Sequence, residues 1–146
     1  ASLRAVLGTA CGRLGARGPA NRSGRGWTLH QGQGLWRSQR AGPGIAGEII
    51  FATHAGGRTM LQLTKNPLPF VAAQTSGDEW QIEFIPQGRT FSGRGTPTPR
   101  LLWIHLARAL NGTKPPAPLE FKQTEPHGFT LENPKSGESI TGFLSE

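Results

Sequence analysis

Hairpin-length turns divide the chain from Trp27 onward into segments short enough to be strands, with one exception. Ala55-Gly56-Gly57, Ser76-Gly77-Asp78, Pro86-Gln87-Gly88, Pro126-His127-Gly128 and Asn133-Pro134-Lys135-Ser136-Gly137 all carry the residue types that tight turns require. The segments 48–54, 58–64, 70–75, 79–85, 89–93, 119–123, 128–133 and 138–144 between them read as strands. Residues 27–38 read as one or two more, interrupted at Gly32-Gln33-Gly34. Alternation is cleanest after Asp78: Trp80, Ile82 and Phe84 share one face, while Glu79, Gln81 and Glu83 share the other.

The exception is a helix. Thr98 is the expected N-cap with Pro99 at the first helical position, Gly112 is placed to end the helix, and Pro115-Pro116 forbids its continuation. At 100° per residue, Leu102, Trp103, Leu106, Ala107, Ala109 and Leu110 form one wide face, and Arg100, His105, Arg108 and Asn111 lie opposite. Leu101 and Ile104 fall among the polar residues, so the helix is apolar on more than one side. Strands, one helix and strands again, joined by short connections, predict a mainly β fold. The expected form is an incomplete antiparallel barrel or strongly curved sheet with the helix packed in its mouth.

Charge separates a leader from this domain. The net charge is +7, yet residues 1–44 hold seven Arg and no Asp, Glu or Lys, and residues 45–146 are balanced. The domain therefore lacks the basic surface that nucleic-acid binding needs, and no nucleic-acid partner is expected. Residues 1–26 carry six glycines and no apolar period, which predicts a disordered, signal-like leader ahead of a single domain at 27–146. Within the leader, Leu3, Ala5, Val6, Leu7, Gly8, Thr9 and Ala10 run into Cys11, which resembles the end of a bacterial lipoprotein signal with its lipid-carrying Cys. Two other readings compete: an Arg-rich mitochondrial presequence, and a start placed too far upstream in GC-rich sequence.

Catalytic chemistry finds little to use. Cys11 is the single Cys and lies in the leader, no Gly-x-Ser-x-Gly elbow occurs, and the four histidines have no metal-binding spacing. Glu79 and Glu83 read as solvent-facing carboxylates that keep a sheet soluble. No enzyme activity, cofactor or metal is expected. What remains is an apolar interior lined by Trp80, Ile82, Phe84, Phe121, Phe129, Leu131, Ile140 and Leu144, with Trp103 and Leu106 from the helix. Periodicity does not separate a packed core from an acyl-chain cavity here.

The segment Leu61-Gln62-Leu63-Thr64-Lys65-Asn66-Pro67-Leu68 resembles a strand of the bacterial lipoprotein localisation factors, the LolA/LolB-like family, which ends in an Asn-Pro-Leu loop. The strand from Trp80 to Phe84, the helix with Leu102-Trp103-Ile104 and the closing hairpins follow in the family's order over residues 45–146. Cys11 brings the chain closer to the outer-membrane lipoprotein member. The resemblance implies an incomplete barrel with a helical lid over an acyl-chain cavity, with Trp80, Ile82, Phe84, Trp103, Leu106, Phe121, Phe129 and Leu131 as its lining. It implies a lipid anchor at Cys11 and a membrane-insertion loop tipped by Leu68. The expected protein is a monomer on the periplasmic face of the bacterial outer membrane, binding acyl chains or lipoproteins in lipoprotein sorting. The alternative is a small structural or interaction lipoprotein with a filled core.

Overall fold

The computed structural model describes residues 26–39, 42–65, 68–124 and 126–145. Cys11 and nearly all of the leader lie outside the described residues. The strands are β1 (Trp27–Arg37), β2 (Gly44–His54), β3 (Arg58–Lys65), β4 (Leu68–Ser76), β5 (Glu79–Phe84), β6 (Arg89–Arg94), β7 (Glu120–Thr124), β8 (Gly128–Glu132) and β9 (Ser139–Ser145). A single helix among the described residues, α1 (Leu102–Leu110), separates β6 from β7.

The strands form one antiparallel sheet in the order β6-β5-β4-β3-β2-β1-β9-β8-β7, left open between β6 and β7. All neighbours but one are joined by short connections; the exception is β1 with β9, which brings the two ends of the domain together from Gln31↔Ser145 to Arg37↔Ser139. The sheet must curve strongly. Helix α1 touches β3, β4 and β5 on one half and β8 on the other. In a flat sheet β4 and β8 would stand five spacings apart, about 24 Å, whereas a helix is only about 10 Å across. The mainly β, half-closed architecture predicted by the turns is thus the one adopted.

Part of the curvature is built at the β1/β9 seam. Gly34 and Gly142 pair directly there on the inner face. A Cβ on Gly142 would fall 2.9 Å from the Gly34 Cα and 3.1 Å from the Phe129 ring, and one on Gly34 would strike the Ile49 side chain. The glycines expected to interrupt residues 27–38 instead let one eleven-residue strand run through while the backbones close tightly.

The inner face holds Ile49 and Phe51 of β2, Leu61 and Leu63 of β3, Val71 and Ala73 of β4, Ile82 of β5, Phe129 and Leu131 of β8 and Ile140 of β9. Leu102, Trp103, Ile104, Leu106 and Ala107 of α1 pack into it. The helix is therefore buried nearly all round, as its apolar composition requires.

At one end of this core, Trp36 meets Phe70, Phe84 and Trp103 with ring centroids 6.0, 6.2 and 5.7 Å away. Its Nε1–H donates to Glu138 Oε2 at 2.9 Å, which holds the β8–β9 connection against β1. Burial pushes the Glu138 carboxyl above the usual carboxylate range, against the opposing effect of the Trp36 hydrogen bond. A folded-state pKa above the unfolded one means that this group costs stability as pH rises from about 4.5 upward. Glu138→Gln keeps an acceptor for Trp36 and removes the charge. Thermal unfolding across pH is expected to find the variant more stable than the parent at neutral pH, with the advantage shrinking to nothing in acid.

Candidate functional site

Among the described residues, the hollows along the margins of the half barrel include these three. The first, of about 390 Å³, sits where α1 ends, between the β7–β8 hairpin and the β1–β2 pair. His30 and Phe51 are direct cross-strand partners, and their rings stack at 6.2 Å on the inner wall. Leu110 closes the helix side, and Phe129 and Leu144 form the floor. Gln123, Thr124 and His127 supply polar atoms at the mouth. His127 O accepts the Leu144 N–H at 3.1 Å, which ties the hairpin turn to β9. No group of three or more metal-ligating side chains gathers among the described residues. The lining mixes the apolar side chains of Phe51, Leu110, Phe129 and Leu144 with the polar groups of His30, Gln123, Thr124 and His127.

The second hollow, of about 590 Å³, lies between β7 and the chain leaving α1. Its walls are Ala109, the stretch from Gly112 to Pro115, and five successive residues from Leu119 to Gln123. The third, of about 280 Å³, lies beside Trp80 and Gly93. Arg94 bridges there to Glu79 at 2.7 Å and to Asp78 at 3.5 Å, an exposed arrangement that contributes little to stability.

No family model matches the chain, and no curated protein does. The likeness to the LolA/LolB-like family rests on the segment ending at Leu68 and on the order of elements.

Of the eight residues expected to line a cavity, Phe129 borders the first hollow, Phe121 the second and Trp80 the third. Ile82, Trp103, Leu106 and Leu131 are sealed in the common core with α1, and Phe84 packs against it beside Trp36. The interior that they line is filled by the helix at those positions. His30, Phe51, Leu110, Gln123 and His127 were not singled out, because they meet only through the pairing of β1 with β2 and the docking of the helix end.

Leu68 is 68% exposed. It is not the tip of the loop, however. It begins β4 and pairs with Lys65, and a bulge between Leu63 and Thr64 in the β3–β4 ladder follows. Pro69 explains the irregularity, because it has no N–H for the ladder.

The expected polar side of the helix also needs correction. His105 is 2% exposed, and its Nε2 lies 3.0 Å from Pro97 O and 3.2 Å from Thr98 O. Arg108 Nη1 donates to Gly95 O at 2.8 Å. The segment leading into α1 therefore folds back over the side that the helical wheel assigned to solvent. The helix begins at Leu102, with Leu101 as an N-cap that makes no side-chain hydrogen bond. Thr98 instead accepts the Arg100 N–H on its Oγ1 and the Leu101 N–H on its carbonyl, forming a turn before the helix.

Proposed function

We propose that the protein is a lipid-anchored carrier on the periplasmic face of a bacterial outer membrane, binding acyl chains or lipoproteins in the manner of the LolA/LolB-like family. The observation that carries this reading is the first hollow. It leads from solvent to the buried Phe51 and Phe129 of the half-barrel core, with Leu110 and Leu144 beside them, His30 stacked on Phe51, and Gln123, Thr124 and His127 at exposed positions of the β7–β8 hairpin. An acyl chain entering it would leave its polar end near Gln123, Thr124 and His127. The exposure of Leu68 at one end of the sheet supports contact with a bilayer, and Cys11 would hold the protein there.

A second reading, a structural or interaction lipoprotein with a filled core, is favoured by the sealing of Ile82, Trp103, Leu106 and Leu131 against the helix. Native mass spectrometry of protein purified from its own membrane separates the two. The carrier reading requires a co-purifying acylated species; a bare chain carrying only its own anchor supports the filled core. Cys11→Ser is expected to release the protein from the membrane, since each buried CH₂ of an anchor contributes about 0.8 kcal/mol.

Leu68→Glu tests the insertion residue. An exposed side chain at the start of β4 contributes little to folding, so the stability change is expected to stay within about 0.5 kcal/mol. Delivery of acylated cargo to vesicles is expected to fall sharply. Unchanged delivery, or a large drop in melting temperature, would remove Leu68 from the functional surface.

A further inference from the structure

Strand β7 is an edge of the sheet, and the second hollow runs along it. Its β8 side is fully paired from Glu120↔Glu132 to Thr124↔Gly128, and no described strand lies on its other side. A hollow against one face of a strand touches alternate residues, because side chains alternate. This one touches Leu119, Glu120, Phe121, Lys122 and Gln123 in succession, so its wall is the unpaired backbone edge. Across the gap stands the chain after α1, from Gly112 to Pro115.

We propose that this gap receives an extended, acidic peptide segment of a partner protein as a tenth strand of the sheet. Alternate N–H and C=O groups of β7 face the gap, and backbone groups of that kind recognise extended chain rather than a compact ligand. Side chains supply the selection. Leu119, Phe121 and Ala109 give the gap apolar wall, which takes apolar residues at alternate positions of the incoming strand. Lys122 and, from the opposite side, Lys114 bring positive charge to the same gap, against Glu120 among the described residues that line it, and favour a carboxylate beside them. The other edge is guarded differently. Arg89 and Arg94 stand at the two ends of β6, with the Arg89 guanidinium over the Phe91 ring at 5.2 Å, and charged ends of this kind discourage pairing.

The proposal rests on the sheet edge and is independent of acyl-chain binding. Its probe is a blocked, fluorescein-labelled hexapeptide that alternates valine with threonine and carries one central glutamate, titrated into the full chain and followed by anisotropy. Two further peptides are N-methylated on alternate sets of amides. Saturable binding is expected for the parent peptide. A loss of about tenfold or more is expected for one methylated set and little change for the other, because only one set faces β7. Lys122→Glu, at an exposed position and with an unaltered circular dichroism spectrum, is expected to weaken binding about fivefold. Absence of saturable binding overturns the proposal, as does equal behaviour of the two methylated peptides. Sedimentation that finds a dimer abolished by Lys122→Glu overturns it in favour of a second copy of this chain on the same edge.

Discussion

Trp103→Ala is expected to cost about 3–5 kcal/mol, enough to remove much of the stability of a domain this size. Trp103 is 1% exposed and sits between the helix and the inner face of the sheet, against the edge of the Trp36 ring. Truncation would leave a void bordered by rigid neighbours on both sides, and such sites collapse poorly. Its Nε1 has no hydrogen-bond partner among the described residues, so the loss is one of packing alone. Trp103→Phe, which keeps most of the ring and removes the unpartnered N–H, is expected to cost less than half as much. Denaturant unfolding of the three proteins measures the difference. Equal stability of the parent and Trp103→Ala would mean that the helix does not fill the half barrel.

The same residue shows what local pattern can and cannot convey. The period of α1 and the alternation from Trp80 to Phe84 were legible because each depends only on the geometry of its own segment. The strands after Ala55-Gly56-Gly57 and Ser76-Gly77-Asp78 were legible because hairpin turns impose the pairing of their neighbours. The β1–β9 seam was not. It joins residues more than a hundred positions apart, such as Gln31 and Ser145, and its glycines resemble a break until the partner strand is in place. The first hollow depends on that seam through Leu144, and on the register that sets His30 against Phe51. Trp103 and Leu106 were rightly read as inward-facing, but whether they line space or fill it depends on how far the sheet curls.

His105 marks the other limit, because a helical wheel assigns an angle to a residue and not what covers it. The segment from Gly95 to Arg100 folds over that side of α1, and the ring is enclosed by it. Desolvation is the largest effect on His105 and lowers its pKa from the usual 6.5; Arg108 acts in the same direction, and the carbonyls of Pro97 and Thr98 oppose it. The folded state therefore holds the ring neutral while the unfolded chain takes up a proton near pH 6.5. Stability contributed by the neutral ring is fully present above that value and is lost as pH falls toward the lower folded-state pKa. In that window the loss reaches on the order of 1.4 kcal/mol per pH unit. His105→Gln does not titrate there and keeps an N–H donor for the two carbonyls. Its melting temperature is expected to lie below that of the parent at pH 8, where the ring packs better than an amide, and to fall more slowly as pH drops below 6.5. His105→Ala, which leaves both carbonyls without the donor and opens a void, is expected to lose about 2–4 kcal/mol at pH 8, a deficit that narrows below pH 6.5 as the parent loses the contribution of the neutral ring. Parallel pH profiles for the parent and His105→Gln would show that the ring is not held neutral, and that the segment before the helix does not seal it from water.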